Sequence, residues 1–570
     1  MFQNHIKKIL KKELKLKDIS LEIPPDSKLG DFAFACFALA KDMKKSPAEI
    51  AKEFAQKLKP DDYIKEIKAT GPYVNFFIDK SKLAEETAKE IFKKKDKYGH
   101  SKMGQKETVV IEYPGPNTNK PLHIGHMRNM ALGVSMANIF ASQGCKVKKV
   151  NIVNDRGIHI CKSMLAYQKW GNKKTPVKEK RKPDHFVGDY YVMFCKKAKE
   201  NPELEKEAQE MLRKWEEGDE EVRALWKKMN KWAFKGFKET YKHFGLPKFD
   251  KEYLESETYK KGKEIVMDGL DKGLFQKRDD GAIVVDLNRQ GLGEKVLIRA
   301  DGTSVYVTQD LFVAEQRYED FKFDKCIYVV ATEQNYHFNV LFTLLKKLKY
   351  PWASGCYHFA YGMVHLPEGK MKSREGIVVD ADDLMLEMED LAREQIVERH
   401  KDLEEENVHE RGTWVGLAAI KFYLLKIDAI KDMTFKPEES LSFEGDTGPY
   451  LQYTHARACS IIRKAKEKDL EPGIDVDFSL LNKPSEISLM QSLSEFPAKT
   501  ADACVNLRPH IIAQYLLTLG RAFNEFYHAC HCLKEENKEL AKARLLLIDN
   551  TRQVLKNGLN LLGIYAPEEM

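Results

Sequence analysis

The sequence predicts a multidomain α/β protein: a small N-terminal α+β domain, a parallel-sheet domain carrying a charged insertion, and a C-terminal all-α bundle. Three observations predict it. The apolar run TVVIEYPGPN, the helix-like MRNMALGVSMANIFASQG and the strand-like KVKKVNIV follow one another at the spacing of a βαβ unit. Between Tyr167 and about Gln290 that pattern gives way to charged, mostly helical sequence, before strand-like runs return. After about Leu391 apolar residues recur at helical spacing to the end of the chain.

From the start, Ile6 to about Tyr98 reads as Lys-rich helices interrupted by IPPDSKLGDFAFACFALAK and by a short strand, Tyr73 to Ile78, after Gly71-Pro72. This gives a first domain at residues 1–100. The parallel-sheet domain occupies 101–395, with the insertion at about 167–290, including KKTPVKEKRK and NPELEKEAQEMLRKWEEGDEEVRALWKKM. KVLIRA, VYVTQD and CIYVVATEQ read as strands, and HFAYGMVHLPEGKMKSREGIVV as two apolar segments around a loop rich in Gly, Lys and Ser. The bundle occupies 396–570, with GLAAIKFYLLKI, PHIIAQYLLTLGRAFNEFYHACHCL and ARLLLIDNTRQVLKNGLNLLGIY as its most periodic helices.

With 570 residues, 43% hydrophobic and 32% charged, the chain can bury several cores, which excludes a disordered tail. No run approaches the ~18 apolar residues of a membrane span, and MFQNHIKKILKKELK lacks an apolar leader core, so a cytoplasmic protein with no membrane partner is expected. The ten cysteines include no CxxC pair and read as reduced core thiols. His528, Cys530, His531 and Cys532 place His528 and Cys532 four apart on an apolar helix, which reads as packing; no structural zinc or other protein-held metal is expected. Net charge +7 permits a nucleic-acid partner without requiring one.

The chemistry concentrates in two segments. In EYPGPNTNKPLHIGHMRN, Glu112 to Asn129, a strand ends in a Pro/Gly turn, and His123 and His126 flank Ile124-Gly125 at the mouth of a helix. A helix N-terminus with imidazoles and a lysine suits phosphate, and Gly125 would let a planar base approach the backbone. The second segment is Lys370, Met371, Lys372, Ser373 and Arg374, a basic loop between Gly369 and Gly376. There is no Walker A motif, and GLGEKV lacks the third glycine of a dinucleotide fingerprint.

Together the segments resemble the HIGH and KMSKS signatures of class I aminoacyl-tRNA synthetases, the second loosely, as KMKSR. GPN before HIGH, DHFVGDYYVMF, SETYKKGKEIVMDGL, RADGTSVYVTQDL, VVATEQNYHF and GDTGPYLQYTHAR narrow the resemblance to the arginyl-tRNA synthetases, in that family's order. It implies a Rossmann-like catalytic domain, an N-terminal domain that touches the tRNA elbow, a helical anticodon-binding domain, and ligation of arginine to its tRNA through an adenylate formed only once tRNA is bound. ATP would be a substrate, with Mg2+ held mainly by its phosphates, and the protein a monomer.

The resemblance assigns ATP to His123, Gly125, His126, Lys370, Met371 and Ser373, with His123, His126, Lys370 and Lys372 as catalytic donors. Ser373 stands where many class I enzymes carry lysine, and Lys120 matches the position of the lysine thought to replace it. Arginine would be read by Glu112, Asn117, Tyr306, Asp310 and Gln334. A planar, permanently charged guanidinium agrees with such a set, because carboxylates and amide oxygens match its fork of donors. Asp310 also reads as an N-cap ahead of LFVAEQRY, and Glu112 as a strand carboxylate paired with an arginine. Which of the two acids meets the guanidinium is left open. For tRNA, Tyr73 and Asn75 in GPYVNF, and Tyr450, Tyr453, Arg457 and Tyr527 in the bundle, are the candidates. The remaining alternatives are a class I synthetase of another specificity and a non-catalytic tRNA-binding paralogue.

Overall fold

The computed structural model describes residues 2–16, 19–22, 24–171, 173–259, 261–365, 367, 379–399 and 401–570. They form two compact units. One comprises Met1–Tyr98, Arg457–Phe496 and Thr518–Leu555, and the other Gly99–Ala456, Pro497–Leu517 and Lys556–Met570. The helical C-terminal stretch therefore contributes to both units.

In the first unit the strands β1 (Phe32–Ala35), β2 (Ile64–Thr70) and β3 (Tyr73–Ile78) form an antiparallel sheet in the order β1-β3-β2. Period-2 alternation puts Val74 and Phe76 into a core shared with Ile6 and Leu10 of the helix Phe2–Leu14 and with Ile50 and Phe54 of the helix Pro47–Lys57. Ser46 and Glu49 close a capping box at the start of that second helix. The next helix, Lys80–Lys94, turns Ala84 and Ala88 toward Leu493 and Leu547 of the C-terminal helices.

The second unit is built on five parallel strands: β4 (Thr108–Glu112), β5 (Lys146–Val153), β6 (Lys251–Leu254), β10 (Lys325–Ala331) and β11 (Cys356–Tyr361), in the order β11-β10-β4-β5-β6. The sheet is covered on both faces, so β4 and β10 are near-continuous Val/Ile runs rather than alternating ones. Between β4 and β5 runs the helix Ile124–Ser142, buried along nearly its whole length.

The charged insertion folds as three helices, Pro183–Glu200, Glu203–Glu217 and Glu220–Phe244, around Phe186, Phe194, Met211 and Trp215. Three sequence readings change here. β6 lies inside the segment read as an insertion, yet pairs with β5 in the main sheet. KVLIRA belongs to a separate antiparallel sheet of β7 (Gln276–Lys277), β8 (Ile283–Leu287) and β9 (Gly293–Ile298). VYVTQD, read as a strand from its β-branched residues, opens the helix Tyr306–Phe321, because Val307 and Leu311 find the core at helical spacing.

Candidate active site at the carboxyl ends of the parallel strands

The chain leaves β4 for β5 and β6 on one side of the sheet, then crosses to place β10 and β11 on the other. Ligands of open α/β sheets bind outside the carboxyl ends of the strands where the order reverses in this way. A cavity of about 1120 Å³ lies there, lined by Glu112, Ile152, Ala331 and Tyr361 from strand ends and by Glu255, the residue after β6.

The turn after β4 carries the first signature. Gly115 has φ +69°, which only a glycine adopts without strain, and its N–H donates to Asn151. Gly188 of the insertion lies against Lys120 and Pro121 so closely that a Cβ would stand 2.7 Å from the proline ring. His123 precedes the helix, and its backbone N–H donates to Nδ1 of His126 at 3.1 Å. An accepting Nδ1 leaves the proton of neutral His126 on Nε2. The two rings stand 3.9 Å apart, and a Cβ on Gly125 would meet the His123 ring at 3.0 Å. Burial, with help from Lys120, pushes His123 down to about 4; burial, with help from His123 and Lys120, holds His126 well below the usual range. Both imidazoles are therefore neutral donors. The cation beside them is Lys120, which has no ion pair among the described residues and is lowered by burial.

The same cavity is lined by acids. Glu112 is paired with Arg317, whose guanidinium is buried over the rings of Tyr253 and Tyr328 at 5.3 and 5.1 Å. Burial raises the Glu112 carboxyl and Arg317 opposes that rise. Asp310 bonds His337 Nε2 at 2.6 Å and raises that imidazole. Asp310 is not an N-cap, since its helix begins at Tyr306. Asn117 accepts from Asn154 at 2.9 Å, and Tyr306 and Gln334 stand exposed at the cavity wall. Glu255, which sequence reasoning missed, is 7% exposed and faces the cavity, and burial raises it to about 7. Its only sequence signal was a carboxylate directly after KEYL, a strand hidden in charged sequence.

Lys370, Met371, Lys372 and Ser373 lie outside the described residues, but both flanks of their loop are anchored to the HIGH helix. Arg128 donates to the carbonyls of Gly362, Ala429 and Lys431 at 2.7, 3.0 and 2.8 Å. Ile124 N–H donates to Val379, and Ala381 N–H to Leu122. Next to that flank, Asp184, His185 and Asp382 stand close enough to share a metal. The Lys182 ammonium already sits among them, 3.0 Å from Asp184, 2.8 Å from Asp382 and 2.7 Å from Thr240 Oγ1, and His185 lies 2.9 Å from Asp382. With Lys182 among its acids and His185 raised by Asp382 and Asp380, the cluster already holds its own cations and does not fit a divalent ion.

The tRNA candidates are distributed. Tyr73 is half-buried, edge-on to Phe37 at 5.7 Å. Asn75 is 3% exposed, on the face of β3 opposite Val74 and Phe76, where Gly30 stands against it, so it offers little surface to a base. Tyr450 is buried and Tyr453 exposed on the helix Gly448–Lys466, while Arg457 stacks over Tyr527 at 5.3 Å and reaches Asn524. His528 and Cys532 do not share a helix face, because that helix ends at Ala529. No helix among the described residues is long and apolar enough to cross a membrane.

Comparison with known proteins agrees with this geometry. Residues 87–436 match the family model described as tRNA synthetases class I (R), catalytic domain, residues 1–78 the arginyl-tRNA synthetase N-terminal domain, and residues 451–570 the DALR anticodon binding domain. The arginine–tRNA ligase of Treponema denticola is 47% identical over 97% of this chain and 95% of its own length. That of Bacteroides thetaiotaomicron is 45% identical over 100% and 98%. The arginyl-tRNA synthetase of Thermus thermophilus superimposes with a TM-score of 0.85 at 27% identity, covering 100% of both chains. A class I catalytic domain over more than half the chain, with relatives of this identity along nearly all of it, places the chain in the arginyl-tRNA synthetase family.

Proposed function

We propose that the chain joins L-arginine to its tRNA in two steps at the cavity above β4 and β10. The arginine carboxylate attacks the α-phosphorus of ATP and pyrophosphate leaves; a terminal ribose hydroxyl of the tRNA then attacks the carbonyl of the arginyl adenylate and AMP leaves. The nucleophile of the first step is already ionised, so in-line placement and stabilisation of phosphate charge do the catalysis. One observation carries the reading: a neutral His123–His126 pair, and Lys120 with no ion pair among the described residues, stand at a helix N-terminus in a cavity that is also lined by Glu112, Asp310 and Glu255.

In this reading His123, His126 and the Gly125 backbone hold ATP, with Lys120 on the polyphosphate in the place left by Ser373. Lys370, Lys372 and Met371 complete that end. Asn117, Tyr306, Asp310 and Gln334 orient arginine, and Glu112, matched by Arg317, closes the floor. Mg2+ would travel with the ATP phosphates and water, consistent with the lysine-filled Asp184–Asp382 cluster. Tyr73, Tyr450, Tyr453, Arg457 and Tyr527 are assigned to tRNA, and the working form to a cytoplasmic monomer. Arginine-dependent ATP–pyrophosphate exchange, run with and without tRNA and with lysine, glutamine, glutamate and citrulline as rivals, tests the whole. Exchange with arginine only, and only with tRNA present, is expected. Salt-sensitive tRNA binding without exchange on any amino acid would make the chain a binding protein.

A further inference from the structure

We infer that His185, in the first turn of the insertion helix Pro183–Glu200, is a positioning residue for the adenylate-forming step: its ring holds Asp380, and Asp380 holds His123. The inference rests on the arginine-ligating reading and gives the insertion a part in it.

His123 enters its helix from a segment outside the parallel sheet. That segment is paired through one isolated antiparallel bridge, His123 opposite Asp380. Two hydrogen bonds make it, from Ile124 N–H to the Val379 carbonyl at 3.1 Å and from Ala381 N–H to the Leu122 carbonyl at 3.0 Å. So short a pairing is a weak support for a ring that must stay aimed at a phosphate to within a fraction of an ångström.

The Asp380 side chain supplies rigidity. Its Oδ1 accepts from the N–H groups of Asp382 at 2.8 Å and Asp383 at 3.3 Å, which caps the helix Ala381–Arg399. Its Oδ2 faces His185 Nε2 at 3.4 Å, the one ion pair of Asp380 among the described residues. Other cations nearby are engaged. Lys182 directs its ammonium to Asp184, Asp382 and Thr240, and Arg181 is held in a fork by Asp189 at 3.0 and 3.1 Å. His185 Nε2 also meets Asp382 at 2.9 Å, so one ring nitrogen spans two carboxylates of the same helix start. Burial works against a charged imidazole there, yet Asp382 and Asp380 keep it raised.

The helix that carries His185 touches the other side of the bridge as well. Gly188, three residues on and on the same face, lies against Pro121, the residue before Leu122. Asp184 seats the first turn against Gly236 of the helix Glu220–Phe244, where a Cβ would collide with its carboxylate. Joining the insertion to the helix Ala381–Arg399 does not depend on His185, because His243 meets Glu389 at 2.5 Å further along the two helices. What His185 adds is the hold on Asp380.

The test is His185→Gln in tRNA-stimulated ATP–pyrophosphate exchange, alone and combined with His123→Asn. The expected result is a kcat lowered about 10- to 100-fold, with the KM values for arginine and tRNA within about twofold of the parent. Added to His123→Asn, His185→Gln should cost less than about twofold more, because its effect passes through that ring. A kcat of the folded variant within about twofold of the parent overturns the inference, since a purely structural His185 would lower the unfolding midpoint and leave turnover alone. So does a full loss on top of His123→Asn, which would show His185 acting independently of His123. If His185→Gln does not fold, Asp380→Asn takes its place, since Asn keeps the cap and removes the charge that His185 holds. The same fall in kcat then supports the contact, and an unchanged kcat refutes it. Absence of arginine-dependent exchange in the parent would instead remove the underlying reading.

Discussion

The Glu112–Arg317 pair makes the sharpest prediction about the floor of the cavity. Both partners are buried and matched to each other. Removing one side of such a pair leaves an uncompensated charge in a dry interior and costs about 3–5 kcal/mol, whereas replacing both sides by groups of similar shape is close to neutral. Glu112→Gln and Arg317→Met should each destabilise by about 3–5 kcal/mol. The double variant should recover most of the loss, a coupling of about 3 kcal/mol. The two single variants should also differ in pH dependence.

In Arg317→Met the orphaned carboxyl titrates above its unfolded value. The folded state then holds the proton more tightly, and stability, full below the unfolded carboxylate range, falls as pH rises through the folded value. In Glu112→Gln the orphan is a guanidinium that cannot deprotonate, so its loss is flat with pH. Urea unfolding of the four proteins at pH 5.5 and pH 8, with arginine exchange in parallel, measures both effects. A Glu112→Gln variant as stable as the parent but with a much raised arginine KM would refute the pairing argument and put the carboxylate on the substrate.

Three further expectations follow from the same side of the molecule. His126→Ala removes a donor aimed at developing phosphate charge, worth about 2.7–4 kcal/mol; kcat should fall about 100-fold or more with the fold intact, and near-normal exchange would reject the assignment. His123 at about 4 and His126 lower still are deprotonated more easily than in the unfolded chain. As pH drops from about 6.5 toward 4 the unfolded state takes protons first and stability declines. Replacing both histidines by Asn should flatten that slope in thermal melts across the window. Lys182→Met strips the cation from Asp184 and Asp382. A loss of about 3 kcal/mol is expected by denaturant unfolding, and a wild-type midpoint would show that His185 alone answers the acids.

The βαβ unit around HIGH was legible because its strand, turn and helix each carry a strong local signal, and the C-terminal helices because their apolar period is long. β6 was not, since KEYL is four residues with one buried tyrosine, and only pairing with β5 makes it a strand. VYVTQD satisfies strand propensity in isolation; the core it meets decides otherwise. At the site, sequence offered an arginine partner for Glu112 without singling out Arg317 and gave none for Asp310, because Arg317 and His337 lie 205 and 27 residues away along the chain. Asn75 looked presentable and is buried for a similar reason: the face of β3 opposite Val74 and Phe76 is covered by the backbone at Gly30, far from it in sequence.

The hydrogen bonds of Arg128 bear on how the site comes apart as well as how it is held. One guanidinium donates to four backbone carbonyls from two separate loops, at Gly362 and Met363 and at Ala429 and Lys431. Neither loop can open alone without abandoning a permanent charge in the interior. The loops and the HIGH helix should therefore exchange their amide hydrogens as one cooperative block, with a single opening free energy where three independent segments would each have their own. In such a block the two flanks of the KMKSR segment keep their spacing to the HIGH histidines through every fluctuation short of unfolding the block itself.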